Sequence, residues 1–166
     1  EGFNMQPKQS KRRRKITEYG YQLLEKQKAR SAYGLREKQF RNYFIHAAKD
    51  RSQTGNALLT QLELRLDNVI FRAGFATTRL QARQLVSHRH FLLNGRRVNI
   101  PSIQLKSGDE LKAINLKIIE HHKEIPAPKW LKVNSKDFTV KVERYPSEAE
   151  LPIEFDTQKI VQFYSR

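Results

Sequence analysis

The 166-residue sequence contains no cysteine, which excludes disulfide bonds and thiolate metal sites. It has no apolar run near the roughly 20 residues that a membrane-spanning helix needs, so we expect a soluble chain. It also lacks a glycine-rich phosphate loop ending in lysine and serine or threonine, and it lacks a nucleophile elbow. These absences remove the usual sequence signatures of thiol, nucleotide-hydrolysing and acyl-transfer enzymes.

Acidic residues are scarce relative to basic ones. The chain carries 32 Lys and Arg against 17 Asp and Glu, a formal net charge of +15. Such a charge requires a polyanionic partner, and nucleic acid or an anionic membrane are the candidates. Residues 1–51 carry +9, residues 52–100 carry +5 and residues 101–166 carry +1. We therefore expect the partner surface in the first two thirds of the chain.

Residues 58–73 show the apolar stripe of an amphipathic helix at 100° per residue. A separate polar edge of the same helix is predicted to face the partner. Glu63 and Asp67 are expected to point elsewhere. Gly74 suits the left-handed position that ends a helix. The stripe consists of Leu58, Leu59, Leu62, Leu66, Val69, Ile70 and Ala73, and the edge of Gln61, Arg65, Asn68 and Arg72.

A second helix is predicted to follow a tight turn. Thr78 stands three residues before Gln81, which is the spacing of a capping box. Arg79 and Arg83 lie one turn apart on the expected partner face. The predicted buried contact consists of Ala82, Leu85 and Val86.

Residues 91–98 are predicted to form a β-hairpin, because Asn94-Gly95 lies between two short apolar runs. Guanidinium groups match phosphate oxygens bidentately, so an arginine-rich surface favours phosphate recognition. For any single arginine, solvation or pairing with an acid is an equal alternative, whereas the whole set favours RNA. The predicted RNA-binding residues of this unit are Arg65, Arg72, Thr78, Arg79, Arg83, His88, Arg89, His90, Asn94, Arg96 and Arg97.

These segments resemble a known family. The runs RLDN, GFATTR, ARQLVSH, HFLLNGRRV, IPS and SGD are similar to the RNA-binding domain named after bacterial small-subunit ribosomal protein S4. The segments KRRRKITEYGYQLLEKQKAR, YGLREKQFRNYF, TGNALLTQLELRLDN and IVQFYSR extend the resemblance to the uS4 ribosomal protein family over nearly the whole chain. Similar domains occur in some pseudouridine synthases, a tyrosyl-tRNA synthetase and a small heat-shock RNA-binding protein.

The resemblance implies a non-enzymatic structural protein of the small ribosomal subunit. It implies direct binding to 16S-type rRNA, nucleation of the subunit body and a contribution to translational accuracy. The implied partners are rRNA, the neighbouring ribosomal protein S5 and mRNA at its channel into the subunit, with no cofactor, metal, membrane or small-molecule substrate. The implied location is the cytoplasmic bacterial ribosome or, alternatively, an organellar one.

Two alternatives are the RNA-binding part of an rRNA-modifying enzyme, such as a pseudouridine synthase, and a stand-alone RNA-binding regulator. The enzyme needs a catalytic domain of roughly a hundred residues or more, whereas only about fifty follow Ile114. The regulator leaves the basic N-terminal segment and the FYSR terminus unexplained.

Residues 1–16 are predicted to form a basic extended arm, because dense charge and few apolar residues keep such a segment from folding alone. A nuclear targeting signal is the competing interpretation. The chain opens at Glu1, so we expect an N-terminal piece to be missing; many relatives carry a cysteine zinc knuckle there, and this chain is the zinc-free form or lacks that piece. The arm residues predicted to bind rRNA are Arg12, Arg13, Arg14 and Lys15.

The fold class expected from these patterns is α+β. A mainly helical, discontinuous domain at residues 17–57 and 115–166, with C-terminal strand elements, is predicted to carry an inserted RNA-binding domain at residues 58–114. The inserted domain consists of two helices followed by a short β-hairpin or sheet. Residues 52–56 are predicted to be the linker between them.

The outer elements are predicted from periodicity alone. Thr17 is expected to cap a first helix, a second helix buries Phe40 and Phe44, and Tyr19, Tyr21 and Tyr33 are open to core or base-stacking roles. His88 and His90 lack a third metal ligand, and His121-His122 is expected to be solvated. The other predicted elements are a helix at 17–31, a strand at 111–114, a helix at 116–124, a strand through Phe138, Val140 and Val142, and a solvent-facing acidic tail at 148–156.

Overall fold

The computed structural model describes residues 13–166, in which six helices and five strands follow one another. None of these helices is long and apolar enough to cross a membrane. The presence of both helices and an antiparallel sheet confirms the α+β fold class. The helices are α1 (Glu18–Ala32), α2 (Glu37–Ala47), α3 (Thr54–Glu63), α4 (Leu66–Arg72), α5 (Arg79–Ser87) and α6 (Thr157–Tyr164). The strands are β1 (Phe91–Leu93), β2 (Arg96–Val98), β3 (Glu110–Ala113), β4 (Leu131–Asn134) and β5 (Thr139–Val142).

Helices α1, α2, α3 and α6 share one hydrophobic core, called here the helical core. As predicted, Thr17 caps α1, its hydroxyl accepting a hydrogen bond from the backbone N–H of Gly20 at 3.1 Å. The predicted burial of Phe40 and Phe44 on α2 is also confirmed. Spacing of three and four residues thus identified the inward face of this helix correctly.

The predicted single helix over residues 58–73 is wrong, because the chain leaves the helical path between α3 and α4. Arg65 pairs with Gln104 in an isolated antiparallel bridge, and the backbone N–H of Leu66 donates to the carbonyl of Ile103 at 2.9 Å. These bonds to a distant segment replace those of a continuous helix. The apolar stripe stays buried but is shared between two cores.

The five strands form one antiparallel sheet in the order β2-β1-β3-β5-β4. Its inner face packs with α4 and α5 in a second core, called here the sheet core. Alternate residues of successive strands, such as Phe91, Leu111 and Val140, point into this core. The alternation predicted for β5 is therefore confirmed.

The predicted β-hairpin is confirmed. Asn94 and Gly95 form its turn with φ angles of 49° and 83°, values that glycine reaches without strain and asparagine tolerates. The register pairs Leu93 with Arg96, so Arg96 and Arg97 leave the turn together, and both are exposed.

The predicted helix over residues 116–124 is wrong, because this stretch is a series of turns. The side-chain oxygen of Asn115 accepts a backbone hydrogen bond from two residues on, which competes with helix formation. Further along, the backbone N–H of His122 donates to the carbonyl of Gly74 at 2.7 Å, and Ile119 is buried in the sheet core. Contacts with the α4–α5 turn therefore hold this segment.

The apolar packing divides the chain differently from the predicted domains. Both ends of the described chain contribute to the helical core, which takes Leu151, Phe155 and Ile160 from the C-terminal part. The sheet core instead takes residues between 119 and 142, which the sequence had assigned to the helical domain. The domain limits themselves stay predictions.

Two segments differ locally from expectation. The predicted linker at 52–56 includes the first turn of α3, which begins at Thr54. The tail at 148–156 is only partly solvent-facing, because its apolar residues Leu151 and Phe155 are buried. It leads into α6, which the sequence did not predict and whose Tyr164 stacks on Phe44 at 4.7 Å between ring centres.

Candidate nucleic-acid interface

A buried carboxylate lies where the two cores meet. Glu63 is 2% exposed. It accepts hydrogen bonds from Arg72 at 2.9 and 3.1 Å, from the Tyr33 hydroxyl at 2.6 Å and from the Asn68 amide at 2.9 Å. The prediction that Glu63 points away from the polar edge is therefore wrong. Arg72 is the partner of this carboxylate, and Tyr33 is a core residue.

A second ion pair is buried beside the first. Arg65 donates to the two carboxylate oxygens of Asp67 at 2.9 and 3.1 Å and to the hydroxyl of Tyr43 at 2.8 Å. Arg65 is 1% exposed and Asp67 is 3% exposed. The prediction that Arg65 lies on an exposed edge, with Asp67 directed elsewhere, is wrong. A guanidinium at this depth has to find its hydrogen-bond acceptors within the protein, so Arg65 is not available as a phosphate ligand.

Arg79 of α5 reaches across to the end of α1. Its guanidinium donates to the carbonyl of Ala32 at 3.1 Å and to the side-chain oxygen of Asn68 at 2.9 Å. It also lies over the rings of Tyr33 and Phe71, 4.5 and 4.7 Å from their centres. Arg79 therefore joins the two cores, and its contact with RNA stays a prediction.

Arg83 makes a similar but more exposed connection one turn along α5. Its guanidinium donates to the carbonyl of Gly34 at 3.0 Å and lies 3.7 Å from the carboxylate of Asp67. One third of its side chain stays exposed. A phosphate contact for Arg83 stays a prediction, alongside the pairing with an acid that the sequence left open as an alternative.

The charge of Glu63 gives a pH-dependent prediction. Burial raises the pKa of this carboxyl, but Arg72 and its other donors outweigh burial and hold the pKa below the ordinary 4.5. Since the folded-state pKa is lowered, the carboxylate stabilises the fold above pH 4.5, and this contribution is lost as the pH falls through the lowered pKa. We expect Glu63→Gln to be destabilising near neutral pH, with a difference from the intact chain that shrinks in acid.

Urea unfolding of both chains between about pH 7 and about pH 3 measures this difference. Glu143→Gln is the matched control, because it removes an exposed carboxylate after β5. For this control we expect a small difference throughout. A Glu63→Gln difference that does not change with pH contradicts the assigned role.

Thr78 and Asn94, two predicted RNA ligands, are engaged in local structure. The Thr78 hydroxyl caps α5 by accepting the backbone N–H of Gln81 at 3.0 Å. The Asn94 side chain donates to Asp109 and accepts from the backbone of Glu110, both at 2.9 Å. These bonds give both side chains a role in local structure, and their contact with RNA stays a prediction.

The other basic residues of the predicted RNA-binding unit lie at the end of α5 and on the hairpin, where His90 is half-buried and the rest are exposed. Arg89 has a φ of 64°, a left-handed conformation that ends α5 and turns the chain into β1. The rings of His88 and His90 are 6.3 Å apart. Within residues 13–166, no acid forms an ion pair with this group, which consists of His88, Arg89, His90, Arg96 and Arg97.

The predicted arm is described only at its end. Arg13, Arg14 and Lys15 are exposed and precede α1. Arg12 and the residues before it lie outside the described residues. Three of the four predicted arm ligands are therefore accessible from solvent.

Four exposed cations cross the outer face of the sheet, and the sequence analysis missed all of them except Arg97. Lys132 and Lys141 are direct cross-strand partners, and like charges in this position destabilise a strand pair. One acid, Glu110, lies opposite Lys141 on its other side. The excess charge favours an anion above this face, and the alternation in ELKA, LKVN and TVKV was the available signal. The four are Arg97, Lys112, Lys132 and Lys141.

His121 and His122 are both half-buried, so the prediction that they are solvated is wrong. His121 lies edge-on to Phe75 with 5.6 Å between ring centres, and its Nδ1 is buried without a partner among the described residues. His122 is half-buried beside Gly74. In the part of the chain that the structure describes, no three histidine or acidic side chains are grouped as metal ligands.

Helices α4 and α5, followed by the basic hairpin, form an RNA-binding domain of the type that the sequence resembles. A family model described as "S4 domain" matches residues 64–111, and one described as "Ribosomal protein S4/S9 N-terminal domain" matches residues 2–63. The two matches meet at the break between α3 and α4.

The chain is also similar to curated proteins named small ribosomal subunit protein uS4. It is 45% identical over 163 residues to the protein of Natranaerobius thermophilus, 46% over 171 residues to that of Aquifex aeolicus and 47% over 160 residues to that of Rubrobacter xylanophilus. These alignments cover 93% of this chain and 78%, 79% and 80% of the respective relatives. The chain therefore belongs to the uS4 family of small-subunit ribosomal proteins, which confirms the resemblance.

Proposed function

We propose that the chain is a structural protein of the small ribosomal subunit that binds the phosphate backbone of the subunit's rRNA. The observation that carries this proposal is the set of exposed cations without an acidic partner within residues 13–166. Neutralising phosphates with such residues releases counter-ions and makes affinity fall steeply with salt.

The proposed phosphate ligands lie on three surfaces: the arm, the end of α5 with the hairpin, and the outer face of the sheet. Arg12, which lies outside the described residues, is proposed as a further ligand from its sequence context alone. Arg79 and Arg83 hold the two cores, and therefore these surfaces, in a fixed relation to each other. The proposed ligands among the described residues are Arg13, Arg14, Lys15, His88, Arg89, His90, Arg96, Arg97, Lys112, Lys132 and Lys141.

Family membership supports finer proposals. The chain binds rRNA early enough to nucleate assembly of the subunit body, contacts protein S5 and the incoming mRNA, and contributes to accuracy. Its surfaces suit recognition of a folded RNA junction, because proteins distinguish structured RNA mainly by shape and backbone contacts. The relatives carry the names of ribosomal proteins rather than of enzymes, which favours this role over RNA modification.

The hairpin provides the test. Replacing Arg96 and Arg97 together by alanine is expected to reduce the slope of log affinity against log salt by about 1.5 units, since each phosphate contact contributes about 0.7–0.9. Filter binding to small-subunit rRNA over a series of salt concentrations measures the slope. The expected stability change is small, because both side chains are exposed.

The matched control replaces Arg144 and Lys159 by alanine. These two cations are paired with Glu150 and Glu18, so we expect the slope to stay unchanged. If the hairpin variant keeps the slope of the intact chain, the hairpin does not bind phosphates. A shallow slope for the intact chain overturns the proposed function itself.

A further inference from the structure

An open cleft of about 460 Å³ lies between α2, α3 and the segment after β2. Its volume falls within the range of about 300–1,000 Å³ that is typical of small-ligand sites. Amide side chains dominate its polar lining. They are Gln39 and Asn42 from α2, Gln61 from α3, and Gln104.

The cleft is neutral, although the chain carries a net charge of +15. The one lining residue with a permanent charge is Arg65, which is 1% exposed and bound to Asp67 at 2.9 Å. A phosphate entering the cleft would therefore meet no unpaired cation of the lining. The cleft differs in this respect from the arm, the hairpin and the outer face of the sheet.

Much of the amide hydrogen-bonding capacity is unused by the protein. Gln39 accepts one bond through its side-chain oxygen, and Gln104 donates one through its nitrogen. Among the described residues, the side chains of Asn42 and Gln61 have no hydrogen-bond partner, so each offers a donor beside an acceptor. This pairing of donor and acceptor matches the edge of a nucleobase.

Ring surface lies beside these amides. Tyr43 is half-buried, and Arg65 fixes its hydroxyl at 2.8 Å, so its ring has a set position. The exposed His46 follows one turn along α2 and also lines the cleft. Unpaired bases of RNA are commonly stacked on such rings and bound through their edges.

We propose that this cleft binds one unpaired nucleobase of the bound RNA, with the Asn42 and Gln61 amides on its edge and Tyr43 against its face. The proposal rests on the proposed function, since it needs the chain to be bound to rRNA. The bridge between Arg65 and Gln104 holds the two sides of the cleft together before RNA arrives. The base contact adds sequence selectivity to a surface that otherwise recognises backbone.

The test replaces Asn42 and Gln61 together by alanine in the full chain. Affinity for small-subunit rRNA is expected to fall about tenfold or more, because two hydrogen-bonding side chains are lost. The slope against salt is expected to stay unchanged, since no phosphate contact is removed. In base-specific chemical modification, one rRNA base protected by the intact chain becomes reactive, while backbone cleavage protection is retained.

The control replaces Gln84 and Gln158 together by alanine, two exposed amides on α5 and α6 outside the cleft, and is expected to leave affinity intact. Thermal unfolding checks that both variants fold. Affinity within twofold of the intact chain overturns the proposal, because the cleft then binds no base of the RNA. A fall in affinity with a shallower slope, or without a deprotected base, also overturns it. The steep slope of the intact chain, measured in the same assay, keeps the proposed function separate from this outcome.

Discussion

Replacing Arg65 by methionine is expected to lower the free energy of unfolding by about 3–5 kcal/mol, the usual cost of breaking a buried ion pair by removing one partner. Asp67 would stay buried without its two hydrogen bonds from the guanidinium, keeping the one from the backbone N–H of Asn68. The Tyr43 hydroxyl would lose its donor as well. Urea unfolding followed by circular dichroism measures the change.

Two further variants separate the charge from the change of shape. Adding Asp67→Asn to Arg65→Met is expected to recover part of the loss, because the uncompensated buried charge is removed. Arg41→Met is the matched control, since Arg41 is exposed on α2, and we expect a change within about 0.5 kcal/mol. A loss below about 1 kcal/mol for Arg65→Met alone would mean that the pair behaves like an exposed one.

Deleting residues 8–15 is expected to reduce the salt slope of rRNA binding by about 4–5 units, since each of its cations can neutralise one phosphate and each contact contributes about 0.7–0.9. The free energy of unfolding is expected to change by no more than about 0.5 kcal/mol, because the segment is nearly devoid of apolar residues. The six cations removed are Lys8, Lys11, Arg12, Arg13, Arg14 and Lys15.

A charge-retaining variant is the control for the arm. Replacing Arg12, Arg13 and Arg14 by lysine keeps the charge but removes the guanidinium geometry, so the slope should persist. Loss of bidentate contacts would lower affinity at every salt concentration. If the deletion leaves the slope unchanged, the arm binds no rRNA phosphates, and the competing interpretation as a targeting signal is favoured.

Elements that depend on neighbouring residues could be predicted from the sequence. The hairpin follows from Asn94-Gly95, which tolerates the positive φ angles of its turn. The inward face of α2 follows from the spacing of Phe40 and Phe44. Thr17 and Thr78 cap their helices through bonds that span three residues. In each case the determining contacts are local.

Elements that depend on distant segments could not be predicted. The apolar stripe of residues 58–73 continues through the helix break, and only the bridge to Gln104 shows why the chain turns there. The turns after Asn115 depend likewise on the carbonyl of Gly74.

The same limit separates the arginines of the candidate site. The sequence predicted the same RNA-binding role for Arg65 and Arg96. In the structure, Arg65 is buried against Asp67, whereas Arg96 is exposed on the hairpin. Exposure is a property of tertiary packing, and helical periodicity placed Glu63 and Asp67 on the wrong side. Pairing with an acid, the alternative that the sequence left open for any single arginine, is the outcome at Arg65.

The contacts that join the two cores determine how the loss of conformational entropy on binding is divided between the protein and the RNA. To swing apart, the cores would have to withdraw Arg79 from between Tyr33 and Phe71 and uncover the carboxylate of Glu63. We therefore expect the protein to meet RNA as one body, so that the conformational entropy lost on binding is mostly that of the RNA. Of the arrangements that a flexible RNA junction samples, the protein would bind the one that fits both cores. Magnesium ions that pre-order the junction would then increase affinity without adding a contact to the protein.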